Sequence, residues 1–291
     1  MQNQVPALRP DYKATQAFVK NYRSEERLKA HYVLERCLAS RLRHSSPADR
    51  VKVYAQAYSE LFLALPDHPQ AVQNNATRER HVRKLLALLL PLLGNDKAFL
   101  EIGCGDAVLS SAVARHTARS YALDVTDALI DRSMVPQNLD ILITTGMEIP
   151  VSSSSIDIAL SDQLMEHLHP DDAEPQLKEI HRVLKPAGVY YCITPNRATG
   201  PHDISSFFDY EATGFHLQEY DSSSLSRLFK EAGFRRIRFI IPVGGFKLPM
   251  PRVILRALEM ALLSVPRGVR VWAARRRIIG MLAGLNVIAT K

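Results

Sequence analysis

The stretch Ala98-Phe-Leu-Glu-Ile-Gly-Cys-Gly-Asp-Ala107 sets the tightest limit on what this 291-residue chain can fold into. A short apolar run passes directly into two glycines one residue apart, and Val108, Leu109, Ala112 and Val113 follow at helical spacing. That order predicts a buried strand turning into a helix. Gly103 and Gly105 carry no Cβ, so a ligand can approach the backbone, and Asp106 stands where a helix cap is needed. The first N–H groups of a helix have no intrahelical partner and can receive an anion. A plain tight turn uses the same residues, so the glycines alone leave both readings open.

Residues 1–94 carry helical patterns. Leu28, Tyr32, Leu38 and Leu42 share one face, Ser46-Pro47 restarts a helix, and Val51, Tyr54, Tyr58, Leu61 and Leu65 continue until Pro66-Asp67-His68-Pro69. A third helix over 78–90 leads to Gly94. These helices need a surface to cover, which makes residues 1–79 an expected N-terminal helical cap, with Tyr54 and Tyr58 as core rather than ligand contacts. From residue 98 short strands at 98–102, 120–125, 139–145, 156–161 and 189–194 alternate with helix patterns, the longest over 172–184. Such alternation predicts an α/β fold, a parallel sheet with helices on both faces and ligands at the carboxyl ends of its strands. A polar loop at 196–219, a helix at 222–232, a strand at 234–243, helices at 253–264 and 269–282 and a closing strand at 285–289 complete residues 80–291, whose cofactor-binding core is expected at 95–195.

Composition narrows the class. Hydrophobic residues make up 46% and charged residues 23%, as in ordinary globular proteins. Cys37, Cys104 and Cys192 are far apart and form no Cys-x-x-Cys pair, so neither a disulfide framework nor a zinc site is indicated. The opening Met-Gln-Asn-Gln-Val-Pro lacks the order of a signal peptide, and a cytoplasmic location is expected. The net charge of +7 is uneven: from Lys247 onward nine Lys or Arg face one acid, Glu259. Such a tail is either a solvated helix face or a contact for an anionic partner.

Two nucleotide chemistries compete for the glycine turn. A dinucleotide site needs a small residue three positions after the second glycine, where this chain has Val108, which disfavours a nicotinamide cofactor. Asp124, 19 residues after Gly105 at the end of the second strand, is placed to take ribose hydroxyls; a strand-end turn residue is the competing reading. Together these residues suit a ribose-bearing ligand without a pyrophosphate.

At this point the sequence resembles the class I S-adenosylmethionine-dependent methyltransferases, specifically a bacterial subgroup with an N-terminal helical extension. Glu101-Ile-Gly-Cys-Gly-Asp-Ala107 is similar to their first motif, with Ala107 in place of its last glycine, and Asp124 matches the ribose acid. Thr145-Gly-Met-Glu-Ile-Pro150 resembles the adenine-side loop, with Thr145 where an Asp is usual. The stretch from Ser154 through Asp162, Gln163-Leu-Met-Glu-His167-Leu, and Glu179-Ile-His-Arg-Val-Leu-Lys-Pro-Ala-Gly188 resemble the later motifs. The motifs run in order over residues 98–243. His31-Tyr-Val-Leu-Glu35, Tyr58-Ser-Glu-Leu-Phe62, Asp67-His-Pro-Gln70, Pro201-His-Asp-Ile-Ser205 and Gly214-Phe-His-Leu-Gln-Glu-Tyr220 are similar to the subgroup's cap and loop.

The resemblance implies a Rossmann-like, seven-stranded, mostly parallel sheet with an N-terminal helical cap and basic C-terminal helices, and S-adenosyl-L-methionine as cofactor. It places Gly103, Cys104 and Gly105 under the methionine part, Glu101 near its ammonium, Asp124 on the ribose, Met147 against adenine with Glu148 at its edge, and Asp162 and Gln163 beside the methyl group. Methyl transfer from a sulfonium needs alignment and exclusion of water rather than a covalent enzyme intermediate. A neutral hydroxyl acceptor must lose a proton, for which His167, His169, His202 and His216 are the candidate bases, with Asp203 or Glu219 to orient them. A structural hydrogen bond to backbone is the alternative role for His167. Ser161-Asp-Gln-Leu164 differs from the Asn/Asp-Pro-Pro-Tyr/Phe used to grip a flipped base, which disfavours nucleic acid. The expected acceptor is a small molecule, a sugar or a lipid-linked compound, methylated on oxygen. The alternative is a methyltransferase-like binding protein whose basic helices act on membrane or nucleic acid.

Overall fold

Strand–helix alternation from residue 94 onward closes each parallel strand pair through a crossover. The computed structural model describes residues 6–69, 75–145, 147–243 and 246–291; the first five residues, Gln70 and Gly146, which fall within stretches singled out above, lie outside them. Strands β1 (Gly94–Ile102), β2 (Thr117–Asp124), β3 (Leu139–Ile143), β4 (Ile156–Asp162) and β5 (Leu184–Pro195) are parallel. Strands β6 (Arg236–Val243), β7 (Phe246–Met250) and β8 (Gly284–Thr290) extend the sheet in the order β3-β2-β1-β4-β5-β8-β6-β7. β8 runs antiparallel between β5 and β6, and β7 pairs antiparallel with β6. The sheet is thus the mostly parallel one expected, with eight strands instead of seven. The extra strand, β7, carries Pro249, which an edge strand tolerates because no neighbour needs its N–H on the open side.

Alternation along the strands feeds two apolar layers. Leu100, Ala159 and Tyr190 face α6 (Pro170–Val183) and α7 (Ser222–Glu231), whose Leu177, Ile180, Leu225 and Phe229 complete that core. Phe99, Ile158, Leu160 and Tyr191 face the opposite way and meet α4 (Asn75–Leu89) through Leu85, Leu88 and Leu89, together with α5 (Val108–Ala114) through Leu109 and Val113. The third N-terminal helix therefore covers the sheet itself, and residue 79 falls within it.

The preceding helices are α1 (Tyr12–Val19), α2 (Glu25–Arg43) and α3 (Pro47–Ala64). Ser24 and Ser46 accept the Arg27 and Asp49 N–H groups as caps, and Pro47 opens α3. Leu38, Leu42, Tyr54, Leu61 and Leu65 pack with Phe215 and Leu217, and Leu28 and Tyr32 pack with Ile204 and Phe207, so α2 and α3 sit against the loop after β5. At the chain's other end are α8 (Arg252–Ser264), α9 (Arg267–Ala274) and α10 (Arg277–Gly280). The single helix expected over 269–282 is broken after Ala274, where Arg275 leaves the helical run to donate to Asp11 and Thr15 beside α1 (2.9 and 2.7 Å). Asp106 is also not the cap residue of α5. Ala107 takes that place at φ +57°, and Asp106 Oδ1 accepts the Val108 N–H at 2.9 Å.

One buried charge ties α3 to α6. Arg50, with a fully buried side chain, brings Nε within 3.1 Å of Asp172 Oδ2, and Tyr54 donates to the same oxygen at 3.2 Å. Removing one partner of a buried pair leaves the other charge uncompensated. Arg50→Ala is therefore expected to lower the unfolding free energy by about 3 kcal/mol in urea titrations. A loss below roughly 0.5 kcal/mol, the scale of an exposed pair, would show that Asp172 is hydrated without it.

Candidate functional site

The carboxyl ends of β1, β2 and β4 open into one cavity. Its walls include Glu101, Gly103, Cys104, Gly105, Asp124, Asp162, Gln163 and His167. Eight of the residues singled out from the sequence thus meet in one place. Gly103 and Gly105 have φ of +73° and +56°, in the left-handed region that favours glycine. A Cβ on Gly105 would meet nothing within 4 Å, so the turn presents bare backbone beside open space.

Asp124 fixes this turn. Its Oδ2 accepts the Gly105 N–H at 2.8 Å and its Oδ1 the Val125 N–H at 2.7 Å. Burial nonetheless raises its pKa, against those two bonds and a third from the Thr126 N–H. Glu101 is fully buried, and burial pushes its carboxyl up to about 8, although Ser110 donates to it. Burial likewise raises the Cys104 thiol, which keeps it protonated. At the end of β4, Asp162 Oδ2 receives His81 Nε2 at 2.6 Å, a bond that raises the histidine's pKa.

Met147 and Glu148 are not part of this wall. Thr144 and Thr145 of the same loop line the cavity instead, and the Thr144 hydroxyl donates to the Glu148 carbonyl at 3.0 Å. Conversely, Tyr54, Tyr58 and Phe62 from α3 and Arg78 and His81 from α4 line it without having been singled out as ligands. Tyr54 is also core, as expected, so its two roles coexist. Arg78 Nε donates to Asp106 at 2.6 Å across the cavity's rim.

His202 and His216 lie in a second cavity of about 620 Å³ between the cap and the loop after β5. Arg23, His31, Glu35, His68 and Asp203 line it too, and among the described residues His167 alone lines both cavities. The Phe215 carbonyl can only accept, so His167 Nδ1 donates to it at 3.0 Å and the lone pair lies on Nε2. Burial, and the neighbouring charge of His216, lower the His167 pKa to about 3. His202 Nε2 donates to the Asn196 carbonyl at 3.1 Å, and burial lowers its pKa. Asp203 braces the loop by accepting the Gly214 N–H at 2.9 Å and the Ser205 N–H at 3.0 Å; burial raises it to about 6. His169 caps α6 by accepting the Asp171 N–H.

His31, Glu35 and His68 gather their ligand-type atoms within 4.8 Å of one another. Arg23 Nη2 donates to His31 Nδ1 at 2.8 Å, which places the proton of His31 on Nε2, directed at Glu35 Oε1 at 2.6 Å. The lone pair a metal would use is thereby occupied, and the cluster is a hydrogen-bonded one. Burial opposes the charge on Glu35, but the bonds from His31 and His68 win and hold its pKa well below the usual range.

Sequence and structure comparisons place the chain among known proteins. A family model described as a methyltransferase domain matches residues 75–238. A relative in Mycolicibacterium smegmatis named "Probable S-adenosylmethionine-dependent methyltransferase" is 31% identical over 168 residues, 57% of this chain and 62% of that one. A ubiquinone biosynthesis O-methyltransferase of Parvibaculum lavamentivorans is 29% identical over 114 residues, 37% of this chain and 44% of that one. The chain thus spans less than two thirds of either relative. In fold it is similar to phosphoethanolamine N-methyltransferase 2 of Haemonchus contortus, solved with S-adenosyl-L-methionine, at a TM-score of 0.52 and 16% identity over 79% of this chain and 59% of that one.

The buried pair His216–Glu219 (2.8 Å) gives the second cavity its own pH signature. Burial disfavours the cation, yet the bond to Glu219 and the charge of Asp203 hold His216 up at about 9. A raised folded value stabilises fully below the unfolded value of about 6.5 and is lost as pH rises through the folded one. Wild-type protein is therefore expected to lose more stability between pH 6.5 and about 9 than Glu219→Gln does, read as Tm at each pH. Parallel curves for the two proteins would show that His216 is neutral in the fold.

Proposed function

Because the chain belongs to the methyltransferase-domain family, we propose that it transfers the methyl group of S-adenosylmethionine to an oxygen of a small-molecule acceptor. The observation that carries this reading is the convergence of Glu101, Gly103, Gly105, Asp124 and Asp162 on one cavity at the strand ends. The cradle suits the cofactor: the bare backbone at Gly105 leaves room for it, and the buried carboxyl of Glu101 and the half-buried one of Asp124 supply acceptors for an ammonium and for ribose hydroxyls. When bound, the cofactor supplies an electrophilic methyl carbon. Gly103, Cys104 and Gly105 would hold its methionine part, and Asp162 and Gln163 would line the methyl end. Tyr58, Phe62 and His167 close that side of the cavity and exclude water, which strengthens every charge interaction inside. Met147 and Glu148 keep an adenine-side role only if their loop shifts toward the cavity.

The acceptor enters the second cavity in this reading, which would align it against the methyl end at His167. A small molecule or a sugar fits the polar lining of Arg23, His31, His68 and His216. Support for oxygen as the target comes from the relative named as an O-methyltransferase. His167, neutral and with its lone pair on Nε2, would accept the hydroxyl hydrogen bond, while His202 and His216 shape the cavity. The reading also extends to peripheral membrane contact through the basic C-terminal helices, favoured by the apolar outer face of α8.

Two measurements test it. A Glu101 carboxyl near 8 must lose its proton to face an ammonium, so S-adenosylhomocysteine affinity is expected to rise with pH until about 8 and level off. Calorimetry near pH 7 in buffers of different ionisation enthalpy should register proton release that Glu101→Gln abolishes; absence of binding by the wild type would overturn the enzyme reading. In transfer of labelled methyl to a panel of sugars and phenols, His167→Ala should keep cofactor affinity while turnover falls roughly 100-fold. Unchanged turnover would remove His167 from the reaction.

A further inference from the structure

The helix α8 is inverted relative to an ordinary surface helix. Its inward positions include Leu255 and the fully buried Glu259, whose carboxylate is consumed by the Ser222 N–H at 2.9 Å, the Ser222 hydroxyl and Asn196 Nδ2 at 3.1 Å. Its outward positions are Val253, Ile254, Ala257, Leu258, Met260 and Ala261, all exposed, with Val253 at 81%. At helical spacing these six form one face, and it contains no charge. A helix that buries its acid and shows its aliphatic residues has its preferred surroundings outside the protein.

The neighbouring elements repeat the arrangement. On edge strand β7, which leads into α8, Phe246 is 74% exposed and Leu248 shares its side of the strand. On α9, which contacts α8, the outward residues are Gly268, Val269 and Trp272, the chain's single tryptophan, 55% exposed, with the Arg276 guanidinium 4.3 Å from its ring centre. Basic side chains accompany this apolar surface: Arg252 opens α8, and Arg227 and Lys230 are exposed on α7, which contacts α8. Among the described residues no carboxylate forms an ion pair with Arg252 or Arg276, whereas Arg256, Arg267 and Arg275 are held by Asp221, Glu211 and Asp11.

We propose that the outer face of α8, with Phe246 and Trp272 beside it, docks on an anionic lipid surface. Aliphatic and aromatic residues enter the boundary between headgroups and acyl chains, and arginines at the edge meet the headgroup charge. The helix lies in the surface and does not cross it: no helix among the described residues is long and apolar enough to span a membrane. A second copy of the chain is the weaker occupant, because a two-fold contact would press the same basic rim against itself. A nucleic acid would match the charge and leave the aliphatic face in water. The inference rests on the membrane contact named above and stands apart from methyl transfer, so S-adenosylhomocysteine binding reports separately on the fold and on that reaction.

The test is co-sedimentation of the full chain with vesicles of phosphatidylcholine alone or with about 30 mol% phosphatidylglycerol. Binding is expected to the anionic vesicles only, with a blue shift of Trp272 emission and weakening in about 0.5 M salt. Val253→Glu with Ile254→Glu should weaken vesicle binding by roughly tenfold or more while leaving S-adenosylhomocysteine affinity and Tm unchanged, since both side chains face outward. Three results would overturn the proposal: no binding to the anionic vesicles, binding that the double substitution does not change, or a dimer of the vesicle-free protein that the double substitution dissociates. Tight binding of duplex DNA or RNA without vesicle binding would reassign the charge to a nucleic acid and overturn it equally.

Discussion

Asp124 reaches from the end of β2 and accepts the Gly105 N–H, which pins the turn between β1 and α5 against its neighbouring strand. The turn needs that anchor. Three of its five residues, Gly103, Gly105 and Ala107, sit at positive φ, and for alanine the left-handed region costs roughly 1–2 kcal/mol. Ala107 offsets the strain by burying its methyl group with Cys104, Ala114, Ala122 and Leu139. The same carboxylate is half-buried and accepts backbone N–H groups from Gly105, Val125 and Thr126, while its side chain still lines the cavity. Holding the turn and facing the cavity are two consequences of one placement.

A single residue, Phe215, does comparable work where the two cavities meet. The Phe215 N–H donates to Glu35 Oε2 at 3.0 Å, and the Phe215 carbonyl receives His167 Nδ1. Cap helix α2, the loop after β5 and the turn after β4 are thereby joined at one point. His167 cannot choose its tautomer, and Glu35 cannot turn away from His31. The cap is thus part of the second cavity's chemistry, because the residues that set its charge come from α2, from the turn after α3 and from the loop together.

How much of this the sequence discloses depends on whether the determinants are local. The glycine turn, Asp124 and the strands through β5 are legible because each is a short pattern with its own stereochemistry. β7 was hidden by Pro249, a residue that argues against a strand anywhere except at an edge, and edge position is a property of the finished sheet. The break between α9 and α10 depends on Arg275 finding Asp11, 264 residues away. Arg78 and His81 read as ordinary polar positions of an amphipathic helix until α4 is laid on the sheet beside β4. His31 and Glu35 are a visible i, i+4 pair, yet their partner Phe215 lies 180 residues from Glu35, and no spacing rule connects them.

The two histidines at the junction of the cavities have been driven to opposite states. Their rings stand 4.9 Å apart at 85°, with His167 held neutral by burial and by the charge of His216, while His216 is kept cationic by Glu219 and Asp203. Environments that separate the pKa values of neighbouring groups assign them different tasks. A group held near 3 by burial is a poor base for deprotonating a free hydroxyl in advance, which argues against that role for His167. For a hydroxyl acceptor that weakness is no obstacle. As a methyl group bonds to the oxygen, its proton becomes far more acidic than in the free alcohol, and a weak acceptor suffices once transfer is under way. In the proposed reaction His167 would supply direction: a lone pair on Nε2, fixed by the Phe215 carbonyl, would orient the hydroxyl before bond formation. His216, unable to accept a proton while cationic, would leave that task to His167 and instead attract the electron-rich oxygens of an acceptor in the second cavity.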